Sequence, residues 1–242
     1  MIKKLHGIRR IFMKAREITR VFETIAPLSL GIPDDLANRY MGLRIGSPDT
    51  EVKAVGVAWC LSKEVIAMAA IKKIKMLIIH EPGIFSTWTS PFHTNIEPLT
   101  IPNNIWKMER LMENGIVVYT AHTNWDNQQE VGMGPTVAKA LGFTKKVKTD
   151  VTLHVYEIKP LALGALIKQV KSRMGLKFVR YQGNLNKKVR RVVLAWGSMG
   201  SELEAIIANE ADAGIFGELR EWPFIWAREN NVGIIETTHL VS

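Results

Sequence analysis

The stretch that decides the fold is VKAVGVAWCLSKEVIAMAAIKKIKMLIIHEP, residues 52–82, because a second part of the chain repeats its pattern. Residues 189–219, VRRVVLAWGSMGSELEAIIANEADAGIFGEL, align with it without gaps at an offset of 137. Each stretch reads as an apolar strand, a turn, an amphipathic helix and a second apolar strand. Each also closes on a glutamate at the same position, Glu81 in the first and Glu218 in the second. The repeat therefore predicts two similar β-α-β halves.

The sequence around this repeat alternates strand-like and helix-like segments, which is typical of an α/β fold. We expect one domain over residues 13–242, built from two interlocked halves at about 13–142 and 143–242. A pseudo-twofold relation between them directs both sets of strand ends at a shared cleft, where ligand sites of open α/β sheets lie. Residues 1–12 are basic and are expected to form an extension, with a targeting or anchoring arm as the alternative.

Composition narrows the class of protein. Of the 242 residues, 47% are apolar, which is enough for a sizeable core. No run approaches the roughly 18 apolar residues of a membrane span, so we expect no membrane partner. The single cysteine, Cys60, excludes an intrachain disulfide and predicts a reducing, cytoplasmic location. It lies at the end of residues 55–60, which read as a buried strand, so we expect a buried core thiol.

The net charge of +9 raises the question of nucleic-acid binding. Two basic clusters, residues 145–148 and 187–191, fall where we expect turns, and neither contains aromatic side chains that could stack on bases. We interpret them as solvated or anion-facing turns. Nucleic-acid binding stays open as the lesser alternative.

Three segments deliver a histidine or an acid at the end of an apolar strand: LIIHEP at 77–82, VVYTAHTNWD at 117–126 and IIETTH at 234–239. Strand ends are rigid and can hold side chains in the fixed geometry that a metal site requires. Imidazole and carboxylate ligands suit zinc, iron or manganese. A structural role for each histidine is the alternative, and it is the one we expect for His154, which alternates within a predicted strand.

These segments resemble the motifs of the Nif3-like (NGG1p-interacting factor 3) family of dinuclear metal proteins, over essentially the whole chain from Met13. His80-Glu81-Pro82 resembles its first metal motif, residues 119–126 its central motif, and residues 238–242 its closing motif. The pairing of HEP with the GELREW segment at 217–222 resembles one branch of the family.

The resemblance implies that His80, Asp126 and His239 are metal ligands. Many members have a second histidine where this chain has Glu81, and a carboxylate there can still ligate or bridge. The family's closing motif has a glutamate four residues after its histidine, which corresponds to position 243, one past Ser242. The resemblance implies two divalent cations per chain, and one is the minimum because that glutamate would fall past Ser242.

Two further residues are candidates for catalytic roles. Glu218 is expected to be a cleft acid that accepts a proton, with an acid at a helix N-terminus as the equal alternative. His122, four residues before Asp126, is expected to orient a ligand or substrate, or to make a structural hydrogen bond in its loop.

The leading interpretation is a metal-dependent hydrolase that acts on a nucleotide-like or phosphorylated small molecule. The resemblance implies a hexameric homo-oligomer and a link to GTP cyclohydrolase activity. The alternatives are a non-catalytic metal-binding hexamer that regulates or binds other proteins, and a ring that binds nucleic acid.

Overall fold

The computed structural model describes residues 12–37, 40–81, 84, 100–199 and 203–239. The chain forms two compact units, Met1–Asn124 and Trp125–Ser242. The repeat predicts halves that meet near residue 142, whereas the helix Met133–Leu141 packs within the second unit. The predicted interlocking and shared cleft stay predictions, and the basic extension lies outside the described residues except for Phe12.

The first unit is built on a four-stranded sheet with the strand order β2-β6-β5-β4. Strands β4, β5 and β6 run parallel, and β2 pairs antiparallel with β6. A separate short ladder joins β1 to β3. The strand bounds are β1 Met13–Lys14, β2 Gly42–Ile45, β3 Glu51–Val52, β4 Val55–Ala58, β5 Met76–Ile79 and β6 Val117–Thr120.

The helices of this unit are α1 Ala15–Ile25, α2 Pro33–Ala37, α3 Lys63–Ile71 and α4 Pro102–Glu113, and a short α5, Thr123–Asp126, crosses into the second unit. Local chemistry explains where two of them begin. The Ser62 hydroxyl accepts a hydrogen bond from the Val65 amide at the start of α3, and Pro102 occupies the first turn of α4. Both helices contribute to one core with the sheet, in which Ile66, Ile79 and Leu111 are buried.

The second unit contains a six-stranded sheet with the order β7-β8-β10-β12-β14-β9, in which β10, β12 and β14 run parallel. Apolar clusters on two faces, one around Leu166 and Val192 and the other around Phe216 and Ile234, show that the sheet is covered on both sides. The element bounds are α6 Met133–Leu141, β7 Lys145–Thr149, β8 Leu153–Ala162, α7 Leu163–Arg173, β9 Arg180–Gln182, β10 Lys188–Ala195, β11 Ser198–Met199, α8 Glu204–Ala208, β12 Ala213–Phe216, β13 Glu218–Leu219, α9 Trp222–Glu229 and β14 Gly233–Glu236.

The sequence repeat is also a repeat of strand register. Val55 lies opposite Met76 in the first unit, and Val192 lies opposite Ala213 in the second, so both partners of the pair differ by the same offset of 137 residues. Each unit adds a third parallel strand, β6 or β14, followed by an antiparallel one, β2 or β9. The prediction of an α/β fold with two similar β-α-β halves is confirmed at the level of each unit.

The prediction that residues 55–60 form a buried strand is wrong in one respect. The strand β4 is present, but it is the last strand of its sheet among the described residues, and the Val57 side chain is 81% exposed. Cys60, just after the strand, is only partly buried and is not a core thiol. An apolar run reveals a strand but not its place in the sheet, and an edge strand has a neighbour on one side only.

The two basic clusters were expected in turns and lie largely on strands instead. Residues 145–149 form β7, which is exposed along its whole length, and Lys188 begins β10. Lysines suit an edge strand because their charge discourages pairing with another chain. Lys145 and Arg191 also both pair with Glu157 on β8, so part of this charge is neutralised within the sheet.

His154 has the structural role that its sequence pattern predicts. It lies on β8, is 1% exposed, and its Nδ1 is 3.3 Å from the Tyr156 hydroxyl. Burial, which strips the charged imidazolium of its hydration, and the positive charge of nearby Lys146 together lower the pKa of His154 to about 4. No helix among the described residues is long and apolar enough to cross a bilayer.

Candidate metal site

His80 and Glu81 directly follow the central parallel strand β5, so they lie at its carboxyl end. The carbonyl oxygen of Trp59 accepts hydrogen bonds from both of their backbone amides, at 3.0 Å from the His80 nitrogen and 2.8 Å from the Glu81 nitrogen. The backbone of both residues is therefore fixed to the end of the neighbouring strand β4. Rigid backbone at a strand end is the support that a preorganised metal site needs.

The His80 ring is held on two sides. The Trp59 indole stacks on it with ring centroids 4.6 Å apart, and the His80 Nδ1 lies 2.9 Å from the carbonyl oxygen of Ala121. A carbonyl oxygen can only accept a hydrogen bond, so Nδ1 donates it. In the neutral ring the lone pair is then on Nε2, the nitrogen with which His80 can bind a metal ion.

His122 follows the neighbouring parallel strand β6 and completes the group. Its Nδ1 lies 2.7 Å from the Asp35 carboxylate, and its Nε2 lies 3.9 Å from Glu81 Oε1. The His80 and His122 ring centroids are 5.0 Å apart. The loop after β6 therefore brings His122 into direct reach of the two residues after β5, in addition to the orienting role that the sequence predicts for it.

Sequence reasoning missed Asp35. It is 3% exposed, and its carboxylate accepts hydrogen bonds from His122 and from both the hydroxyl and the backbone amide of Thr123. Burial alone raises the pKa of Asp35, but the His122 and Thr123 hydrogen bonds outweigh it and hold the pKa below its usual range, so this carboxyl is ionised at neutral pH. Nothing in the PDD segment at 33–35 signals this role, because an acid in the first turn of a helix is ordinary.

The donor set suits a divalent cation. One ligand atom each from His80, Glu81 and His122 can be chosen so that all three lie within 4.8 Å of one another. Two imidazoles and one carboxylate match zinc, non-haem iron and manganese, and three protein ligands leave coordination positions for a substrate or water. Both histidines also have the Nδ1 hydrogen bond to an oxygen that metal-binding imidazoles almost always make.

The second unit holds a related pair at the corresponding strand ends. Glu218 lies in β13, just after β12, and its Oε2 is 3.1 Å from Nδ1 of His239, which follows β14. Thr238 precedes His239 with φ of 81°, a left-handed conformation that is rare for a β-branched residue. Such strained backbone is concentrated at functional sites.

The sequence-predicted residues thus fall into two groups. The first unit brings together His80, Glu81 and His122, and the second brings together Glu218 and His239. Asp126 ends the short helix α5 and is buried at the start of the second unit. Its predicted role as a ligand, like that of His239, stays a prediction.

Comparison with known proteins supplies a family. The model of the Duf34/NIF3 (NGG1p interacting factor 3) family matches residues 13–242. A GTP cyclohydrolase 1 type 2 homolog of Clostridium perfringens is 28% identical over 198 residues, covering 77% of this chain and 70% of that protein. A protein of the same name from Clostridium acetobutylicum is 27% identical over 237 residues, covering 94% and 84%.

Solved structures agree on the fold. A Bacillus cereus protein related to NIF3 superposes with a TM-score of 0.80 at 17% identity, covering 95% of this chain and 89% of that one. Reduced HcgD from Methanocaldococcus jannaschii gives a TM-score of 0.76 at 25% identity, covering 96% and 89%.

Proposed function

Because the chain belongs to the Duf34/NIF3 family, we propose that it is a divalent-metal-dependent hydrolase whose first cation is held by His80, Glu81 and His122. The observation that carries the proposal is the state of the two imidazoles. Each donates its Nδ1 hydrogen to an oxygen, Ala121 for His80 and Asp35 for His122, so each has its Nε2 lone pair as the metal-binding atom.

The second unit supplies the remaining proposed groups. Asp126 and His239 are the further ligands that the family resemblance implies, and a second cation uses them. Glu218 accepts the Nδ1 hydrogen of His239 and so fixes the tautomer of that ring. Half exposed, Glu218 is also the carboxylate that accepts a proton from a reacting water.

A cation held this way supplies a Lewis acid that stabilises negative charge on a carbonyl or phosphoryl oxygen of the substrate. The protein's own part is to orient the ligands: Trp59 holds the backbone of His80 and Glu81, and Asp35 holds the His122 ring. A cation that stabilises charge, together with a protein that orients its ligands, suits hydrolysis at a carbonyl or phosphoryl group of the substrate.

The substrate class follows from the relatives' name and from charge. Several curated relatives are named GTP cyclohydrolase 1 type 2 homolog, and we propose a nucleotide-like or phosphorylated small molecule for this chain. A net charge of +9 favours the approach of anionic substrates. We further propose the hexameric assembly that the resemblance implies, which light scattering would detect as a mass about six times the 27.2 kDa of the chain.

A non-catalytic role in binding a protein partner is the second candidate. It is favoured by the family description, which refers to an interacting factor. This alternative predicts stoichiometric metal without turnover.

The test combines metal analysis with a substrate panel. Protein purified without chelator is expected to contain at least one divalent cation per chain by inductively coupled plasma mass spectrometry, and to hydrolyse a member of a panel of GTP, phosphoesters and cyclic amides. His80→Ala and Asp126→Ala should each lose turnover and the cation that the substituted residue holds, whereas His154→Gln, outside the site, should lose neither. Stoichiometric metal with no turnover favours the binding protein, and metal at trace levels only contradicts both.

A further inference from the structure

We propose that Asp35 is a positioning residue that fixes the tautomer and the orientation of His122, and so decides whether Nε2 of that ring faces the cation site. The inference rests on the proposed function for its metal-binding consequence. Its structural half, the control of the His122 ring, stands on the contacts of the first unit alone.

The geometry at Asp35 is that of a built acceptor. One oxygen, Oδ2, accepts hydrogen bonds from His122 Nδ1 at 2.7 Å, from the Thr123 hydroxyl, and from the Thr123 amide at 3.4 Å. The side chain is buried, so water does not compete for these donors. Residues 87 positions apart in sequence are thereby joined at one oxygen atom.

The role of Asp35 Oδ2 as an acceptor decides the state of the ring. An ionised carboxylate has no hydrogen to donate, so Nδ1 must carry the proton and Nε2 the lone pair of the neutral imidazole. The opposite tautomer would place an Nε2 hydrogen toward Glu81, whose Oε1 lies 3.9 Å away, and would remove the metal-binding lone pair. A carboxylate partner also makes the imidazole a stronger base and thus a stronger ligand.

The loop that carries His122 has other anchors, so Asp35 acts on the ring more than on the backbone. The Asn124 side chain accepts from the His122 amide at 3.1 Å and donates to the Ala26 carbonyl oxygen at 2.8 Å. The Ala121 amide donates to the Ile79 carbonyl oxygen, and the Thr123 hydroxyl accepts from the Ile32 amide. None of these hydrogen bonds involves Asp35, so we expect them to remain when its carboxylate is removed.

The experiment reads the ring directly in metal-free protein. Two-dimensional ¹H–¹⁵N NMR of the imidazole nitrogens, assigned with His122→Ala, distinguishes the two tautomers. Wild type is expected to show His122 with hydrogen on Nδ1. Asp35→Ala should shift the population towards the Nε2–H tautomer, whereas Asp35→Asn should retain Nδ1–H, because its amide oxygen can accept the same three donors.

A Co²⁺ titration then measures the consequence. Asp35→Ala should weaken binding by roughly 10–100-fold, the usual effect of losing a partner of a metal ligand. The Co²⁺ affinity of Asp35→Asn should lie between that of wild type and that of Asp35→Ala. Asp49→Ala is the matched control, because Asp49 is an exposed acid of the same unit that pairs with Lys14 and Arg16. It should bind Co²⁺ as wild type does.

The outcomes separate the two claims. If folded Asp35→Ala keeps both the wild-type tautomer and the wild-type Co²⁺ affinity, the positioning role is overturned. If Asp35→Ala changes the tautomer but wild type binds no Co²⁺, the positioning role stands and the proposed function fails. If Asp35→Ala does not fold, Asp35→Asn decides: Co²⁺ affinity equal to wild type overturns the claimed effect of the charge, and weaker binding with the tautomer retained supports it.

Discussion

The two units carry a glutamate–histidine pair at corresponding strand ends, but the glutamate faces a different side of the histidine in each. In the first unit, Asp35 occupies the Nδ1 side of His122, and Glu81 lies on the Nε2 side at 3.9 Å. In the second unit, Glu218 itself takes the Nδ1 side of His239 at 3.1 Å. We propose that a glutamate on the Nε2 side shares a metal ion with the histidine, whereas one on the Nδ1 side orients the ring.

The two units also differ in one residue next to the glutamate. His80 in the first unit corresponds to Gly217 in the second, so the second unit has no imidazole at that point. The first pair is also the more enclosed, since His239 and Glu218 have side-chain exposures of 33% and 55% and the first-unit pair is largely buried. The same β-α-β scaffold therefore supports a group of three potential metal ligands in one copy and a two-residue pair in the other.

The largest expected effect comes from removing the charge of each glutamate in turn. Glu81→Gln should weaken Co²⁺ binding by more than the roughly 10–100-fold typical of an outer partner, because it removes an anionic ligand. Glu218→Gln should weaken Co²⁺ binding by only about 10-fold, because the amide oxygen of the new side chain can still accept the Nδ1 hydrogen of His239. Isothermal titration calorimetry on both variants checks the ranking. Equal losses would break the distinction between the two pairs.

The repeat-related tryptophans also differ, and pH tests that difference. Trp59 stacks on His80 in the first unit, whereas Trp196 packs edge-on against the buried His154 in the second. Because burial lowers the pKa of His154 from 6.5 to about 4, the unfolded protein binds its proton first as the pH falls. The contribution of neutral His154 to the free energy of unfolding is therefore fully present above pH 6.5. It falls by about 2–3 kcal/mol as the pH is lowered towards 4.

Urea unfolding of metal-free protein between pH 7 and pH 4 measures this loss, with His154→Gln as the control that cannot titrate. The variant should be less sensitive to pH than wild type over that interval. An unchanged slope would mean that other groups carry the acid sensitivity of the protein.

Packing around Trp196 predicts a smaller effect. A Cβ added at Gly134 would lie 2.5 Å from the Trp196 ring and 2.6 Å from His154 Nδ1, so Gly134→Ala should destabilise the fold by about 1–2 kcal/mol. Gly164→Ala is the matched control, since its Cβ would meet neighbours only at 3.4 Å or beyond within α7. It should stabilise by up to about 1 kcal/mol through helix propensity. Thermal unfolding in which both substitutions act alike would contradict the close approach at Gly134.

The smallest effect is expected at the sheet edges, which the two units treat differently. The sheet of the first unit has β4 as an edge strand, in which Val57 is 81% exposed. The sheet of the second unit has the lysine-bearing β7 as an edge strand. Val57→Lys should therefore change the free energy of unfolding by less than about 0.5 kcal/mol, as surface substitutions usually do. Chemical denaturation and light scattering check it. A decrease in the free energy of unfolding several times larger than this, or a change in oligomer mass, would show that a second chain covers this edge.

Much of the fold could be predicted because strong periodicity marks the central elements. The second apolar strand that the repeat predicts in each half is present as β5, Met76–Ile79, and β12, Ala213–Phe216. The sequence does not predict strand β7, because a paired edge strand needs backbone hydrogen bonds but no apolar face, and Lys145–Thr149 is almost entirely polar.

The site was predictable only in part, for a physical reason. Strand ends can be read from sequence, and this located His80, Glu81, Glu218 and His239. Asp35 reaches His122 across 87 residues through tertiary packing, and no local pattern records such a contact. The sequence also left His122 in an orienting role, because the 3.9 Å approach to Glu81 depends on how β5 and β6 pair.

An anomalous-difference map of a crystal soaked with Zn²⁺ would show directly whether His80, Glu81 and His122 hold a cation. We expect a peak in the first unit within about 2.0–2.2 Å of His80 Nε2, His122 Nε2 and a Glu81 carboxylate oxygen. His80→Ala crystals soaked in the same way should lose this peak. A wild-type map with no peak near these three residues, or with the ion bound through Nδ1 of either histidine, would contradict this proposal.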